Sequence, residues 1–110
     1  MKIYRGVREK SGAVVTVTHE GACSNLNPRF DLRNHSPTGF EWGYGGSGPA
    51  QLALAILADH FQDSGLAQRF YHDFKFKVIG RLKNETWILS SGEIDEALQE
   101  IKNEKLDAGL

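Results

Sequence analysis

One cysteine, Cys23, stands in a chain of 110 residues. A lone thiol excludes an intrachain disulfide and a zinc site built on several cysteines. Excess charge is missing too. With 13 basic and 14 acidic residues the formal net charge is −1, so no global field gathers nucleic acid or anionic membrane, although a local basic patch stays open. The amino-terminal MKIYRGVREK has no apolar core of the kind a signal peptide needs. The longest apolar helical stretch, about 13 residues, falls short of the ~20 that span a bilayer. A cytoplasmic protein without membrane contact is therefore expected. Repeats, low-complexity tracts and linkers are absent, and 40% hydrophobic residues in this length suffice for one core. The expected organisation is a single domain over 1–110, frayed over 102–110.

Signatures of familiar chemistry are also incomplete. The four histidines, His19, His35, His60 and His72, show no tight metal spacing, so no metal is expected. His60 and His72 follow and precede aspartates at adjacent positions, but neighbours diverge on a helix and alternate across a strand. Gly43-Tyr-Gly45-Gly46-Ser-Gly48 satisfies G-x-G-x-x-G before a helix. A dinucleotide fold also needs a strand before that loop and a parallel strand after the helix, and here Asp63-Ser-Gly65 and a further helical stretch follow instead. No Lys-Ser or Lys-Thr follows the glycines, which excludes a Walker A loop. Ser47 is not in a nucleophile elbow, because Pro49 takes the place of the last glycine and both Asp31 and His35 precede it. A loop hydroxyl or helix cap is the plainer reading of Ser47. Nothing here calls for a cofactor.

What the chain does contain is centred on Gly39–Phe61, GFEWGYGGSGPAQLALAILADHF. Pro49 presets helical φ at a first-turn position, so a helix is expected to begin at Gly48 or Pro49. Ala50, Ala53, Leu54, Leu57, Ala58 and Phe61 line one face, and Leu52, Ala55 and Ile56 cover most of the rest. A helix apolar nearly all round belongs in a core. Upstream, Ile3–Val7 and the β-branched run Val14–Thr18 read as two strands of a hairpin, with Glu9–Ala13 as the turn. Glu20–Thr38 reads as a long irregular connection. Downstream, Leu66–His72 reads as a short helix with Ala67, Phe70 and Tyr71 on one side. Phe74, Phe76 and Val78 alternate with lysines and predict a strand that pairs, across Lys83–Glu85, with Trp87–Leu89. Ser90 and Glu93 have capping-box spacing before a helix whose inner face is Ile94, Ala97, Leu98 and Ile101. The expected fold is α+β: a mostly antiparallel sheet of about four strands packed on a central apolar helix, with a C-terminal amphipathic helix.

Glycine-rich backbone running into a helix N-terminus favours an anion. The expected site is that loop, Gly45, Gly46, Ser47 and Gly48, joined by Asn34, His35, Ser36, Glu41, Trp42, Tyr44 and Gln51. Gly48 is expected to serve the helix start, with Gly45 or Gly46 towards the ligand. Phe40 reads as core, whereas Trp42 and Tyr44 suit core packing and ring stacking equally.

Two blocks, NHSPTGFEWGYGGSGPAQLALAIL at Asn34–Leu57 and YHDFK at Tyr71–Lys75, resemble a small bacterial and phage family known as a domain of unknown function. The resemblance covers most of the chain and brings no activity, cofactor or catalytic residue. Its setting in phage and mobile elements implies an accessory or anti-defence role.

Three functions follow as expectations, in this order. The first is a binding module for a phosphate-bearing small molecule or nucleotide. The second is a protein-interaction module that engages a host or phage protein through Trp42 and Tyr44. The third is an enzyme with His35 as general acid or base and Glu41 as its carboxylate partner; no residue is assigned as catalytic.

Overall fold

The computed structural model describes residues 1–108, with side chains described as far as Leu106. Strands β1 (Lys2–Glu9), β2 (Gly12–His19) and β3 (Ala22–Asn25) form successive antiparallel hairpins, and β4 (Thr86–Ser90) returns antiparallel to β1. The sheet order is β3-β2-β1-β4. Helix α1 (Ser47–Phe61), helix α2 (Ser64–Lys77), a short 3-10 turn (Ile79–Arg81) and helix α3 (Ser91–Ala108) complete the α+β fold.

Period-two patterning sets the sheet. Tyr4 lies opposite Val17 and Leu89, and Gly6 lies opposite Val15 and Trp87, so these residues share one buried face. Gly6 is required there: a Cβ would fall 2.3 Å from the Trp87 ring, which lies across the bare backbone. The turn between β2 and β3 has positive φ at both central residues, Glu20 (52°) and Gly21 (82°), the combination that matches the twist of a two-residue hairpin. This strand lies where the sequence predicts irregular chain. All four residues of β3 are exposed, so no hydrophobic pattern marks it and backbone pairing alone defines it. Cys23 sits on this strand and is exposed.

Helix α1 is buried from Gly48 to Ala58, as a helix apolar nearly all round must be. Tyr4 from β1 reaches across it, donating its hydroxyl to Asp59 Oδ2 at 2.6 Å. Burial and that carboxylate push the Tyr4 hydroxyl pKa far up. Helix α2 packs along α1 in the opposite direction after a left-handed Gln62 (φ 54°) ends the first helix and Asp63 caps the second through Gly65 and Leu66 N–H. It runs to Lys77, five residues past the expected end at His72 and through the predicted strand at Phe74–Val78. The hairpin expected with Trp87–Leu89 is therefore absent, and β4 pairs with β1 instead. Spacing explains the difference: Ala67, Phe70, Tyr71 and Phe74 recur at helical intervals and are buried, whereas Phe76 is exposed. The expected capping box starts α3, with Ser90 N–H donating to Glu93 and Glu93 N–H donating to Ser90 Oγ. Ile94, Leu98 and Ile101 are its buried face. The helix continues to Ala108; Gly109 and Leu110 lie outside the described residues.

Candidate functional site

Gln51 organises the long connection between β3 and α1. It is fully buried. Its Oε1 accepts from His35 N–H at 2.8 Å and Ser36 N–H at 3.3 Å, while its Nε2 donates to Pro28 O at 2.6 Å and Arg33 O at 3.0 Å. An amide has two donors and one acceptor oxygen, and here they staple Pro28, Arg33, His35 and Ser36 of the irregular chain onto α1. Gln51 therefore holds His35 and Ser36 in place and has no group left to present to a ligand.

A second cluster pins the chain just before the glycines. Trp42 is fully buried, donates Nε1–H to Asn84 O at 2.9 Å and meets Trp87 edge to face at 5.6 Å between centroids. It is a core residue, which removes it as a ligand platform or surface anchor. The Arg8 guanidinium lies over its ring at 4.6 Å. That guanidinium donates to Glu41 Oε1 from two nitrogens at 3.0 and 2.9 Å, to Glu85 at 2.9 Å and to Trp42 O at 2.8 Å. The bond to Glu41 is the main cause raising the Arg8 pKa. Glu41 thus belongs to Arg8, and the expected His35–Glu41 pair does not form: His35 Nε2 bonds the Tyr71 hydroxyl at 2.8 Å.

The four glycines of the loop divide by what lies over them. Gly46 occupies the N-cap position of α1 in extended conformation, and no side chain caps the helix, so Ser47 opens the helix instead of capping it. First-turn amides have no acceptor within a helix, and Pro49 has no N–H to offer; Ser47 and Gly48 are the amides at the free end. Ser47 is exposed and Gly48 is buried. A Cβ on Gly48 would fall 2.6 Å from Glu41 Cβ, so this glycine lets the Glu41 segment pack directly on the helix start. Gly43 has φ +89° and lies under Leu82 O. Gly45 is exposed beside the Phe76 ring, and Gly46 lies beneath the Tyr44 ring. Tyr44 and Phe76 are 52% and 62% exposed, so two bare rings flank Gly45. The larger clefts are lined by other residues; the loop is an open surface.

Alongside this loop, antiparallel packing brings the C-terminal turns of α2, which carry residues that reading the sequence did not place at the site. Lys75 is only 9% exposed. Among the described residues no hydrogen-bond or carboxylate partner reaches its ammonium, which rests on the Phe76 ring at 4.3 Å. Its backbone carbonyl and that of Tyr44 both stand 3.3 Å from where a Cβ on Gly80 would lie, which locks the two segments together. His72 stacks on Tyr71 at 4.1 Å and approaches His35 at 6.2 Å between centroids. The His35 pKa is lowered, first by burial and then by the neighbouring His72, Arg33 and Lys75 charges. Among the described residues no carboxylate offsets them: Asp31 pairs with Arg29, Glu41 with Arg8 and Asp73 with Lys105. The helical spacing Tyr71-His72-Lys75 is present in the sequence, but the alternation Phe74-Phe76-Val78 masks it. Asn34 is exposed on the loop above and Ser36 is half-buried.

Among the described residues no three His, Cys, Asp or Glu side chains group closely enough to hold a metal ion, and no helix is long and apolar enough to cross a membrane. A family described as one of unknown function matches residues 4–100. No curated protein and no solved structure matches the chain.

Proposed function

The chain belongs to this family of unknown function (DUF6166), and as the family brings no activity with it, we propose from the site's geometry that the protein is a small binding module for a phosphate-bearing ligand. The ligand sits where the N-terminal turn of α1 meets the C-terminal turn of α2. Lys75 carries the reading. A lysine stem is commonly buried while its ammonium reaches water or a counter-ion; this ammonium has no carboxylate partner among the described residues and lies against the exposed Phe76 ring, which borders Gly45 just before the α1 N-terminus that no side chain caps. The helix end contributes about 0.3–1 kcal/mol towards an anion when exposed and up to about 2 when partly buried. Tyr44 and Phe76 supply faces on which a base or other flat ring stacks, which extends the class from phosphate to nucleotide. An accessory role in a phage or mobile element is the setting we infer for such a module.

Thermal-shift or calorimetric titration with nucleoside monophosphates and inorganic phosphate tests this, with Lys75→Met as the comparison because it keeps the stem and removes the charge. Ligand at ten times Kd stabilises by about 1.4 kcal/mol, a rise of several degrees in Tm for a domain this size. Lys75→Met is expected to abolish the rise. No stabilisation at millimolar ligand, or an equal rise in the variant, overturns the proposal. The exposed pair Tyr44 and Phe76 also favours a second reading, a protein-interaction surface such as that of an anti-defence inhibitor. In that case Tyr44→Ala bait loses a partner that Lys75→Met bait retains.

A further inference from the structure

At the opposite end of α1 the three helices leave an apolar groove of about 450 Å³, lined by Phe61, Leu66, Arg69, Phe70, Lys102, Lys105 and Leu106. Phe61 and Phe70 form its floor, with ring centroids 6.2 Å apart and planes tilted by 43°. Leu66 and Leu106, both exposed, form its sides. Three cations converge on the Phe70 ring: Arg69 at 5.4 Å, Lys102 at 5.7 Å and Lys105 at 5.8 Å from its centroid. Among the described residues no carboxylate lines the groove. Of the three cations only Lys105 has a carboxylate partner among the described residues, Asp73 at 3.0 Å.

Arg69 and Lys102 bring two like charges without a carboxylate partner to one ring, beside the Lys105–Asp73 ion pair, and the ring face alone returns only about 0.5–1 kcal/mol per exposed cation. An anion there relieves the repulsion between those two charges, and an apolar tail on that anion covers the phenylalanine floor. The size suits a small ligand, since such sites run to about 300–1,000 Å³, whereas a protein partner needs roughly 800 Å² of surface on each side. We propose that this groove binds the carboxylate of an unbranched medium-chain fatty acid, with the carboxylate among Arg69, Lys102 and Lys105 and the chain laid between Phe61, Leu66, Phe70 and Leu106. The site is independent of the phosphate-binding surface, and Lys75 plays no part in it.

Competition between decanoate and the fluorescent anion 1-anilinonaphthalene-8-sulfonate on the full chain tests the assignment, with decanol and decyltrimethylammonium as uncharged and cationic controls. Decanoate is expected to displace the dye and raise Tm, and both controls to bind at least tenfold more weakly. Lys102→Glu and Arg69→Glu, at exposed positions that leave the fold intact, are each expected to weaken decanoate at least tenfold with near-ultraviolet circular dichroism unchanged. Amide shift changes on decanoate addition are expected to map to Phe61–Phe70 and Lys102–Leu106. Decanol binding as well as decanoate, normal affinity in both charge-reversed variants, or shift changes centred elsewhere overturns the proposal. Sedimentation showing a dimer that buries the groove, or binding confined to anionic lipid vesicles, overturns it as well.

Discussion

Replacing Gly48 by alanine puts the division of labour among the loop glycines to the test. The backbone at Gly48 is not in the left-handed region, so conformation does not forbid a side chain. Alanine brings two gains, a better helix residue and a less flexible unfolded chain, together about 1 kcal/mol. Against this, the new Cβ falls 2.6 Å from Glu41 Cβ, 3.2 Å from Glu41 N and 3.3 Å from Glu41 Cγ. Two of those three atoms cannot rotate away, because Glu41 N and Cβ are fixed by the backbone. The Glu41 segment must shift, and with it the carboxylate that holds Arg8 and the carbonyl of Trp42 that Arg8 also binds. Overpacking of this kind costs about 1–3 kcal/mol before the hydrogen bonds are counted, and each bond to a charged group adds about 1.5–3 kcal/mol if lost. The net expectation is a destabilisation of about 2 kcal/mol, or roughly 10 °C in Tm for a domain of this size. Gly46→Ala is the contrast. Its nearest obstacle is the Tyr44 ring at 2.4 Å, the far end of an exposed side chain that can swing aside, so the loss should stay below about 1 kcal/mol, within the range for an N-cap change. Urea titrations of the two variants read the difference as a shift in midpoint at constant slope. A neutral or stabilising Gly48→Ala, or equal losses in both variants, refutes the packing account of Gly48.

Gln51→Leu fills a similar volume but leaves His35 N–H, Ser36 N–H, Pro28 O and Arg33 O without partners; at about 1–3 kcal/mol for each group that stays buried, a loss of at least ~3 kcal/mol is expected, read by urea denaturation, with hydrogen exchange at residues 28–36 losing protection first. Burial and nearby positive charge hold the His35 pKa below its ordinary 6.5, so its neutral form is favoured by folding; that stability is complete above about pH 6.5 and is lost as pH falls towards the folded pKa. His35→Gln should flatten the fall in Tm between pH 7 and 5.5, and a His35 proton-resonance titration with a midpoint above 6.5 would contradict the sign.

Local chemistry written in the chain determined the β1–β2 hairpin, the buried α1 and the start of α3. A dense β-branched run, an all-round apolar segment after Gly48-Pro49 and the Ser90/Glu93 box each specify conformation within a few residues, so no distant contact is needed to read them. The candidate loop was legible for the same reason: glycines followed by proline mark a helix start whatever surrounds it. Tertiary packing decided the rest. The alternation at Phe74–Val78 fits a strand locally, yet Phe70, Tyr71 and Phe74 bury more apolar surface as one face of α2 against α1, and that burial outweighs a two-residue period. Strand β3 has no buried side chain to announce it and exists because β2 offers an unpaired edge. Trp42 became core only because Gly6 leaves room for Trp87 beneath it. Gln51 looks like any polar residue on a helix until four backbone groups from a distant loop meet it. Lys75 joins the glycine loop for the same reason: α2 runs antiparallel to α1, so the end of one helix lies beside the beginning of the other, a juxtaposition between positions distant in sequence that no local pattern of side chains encodes.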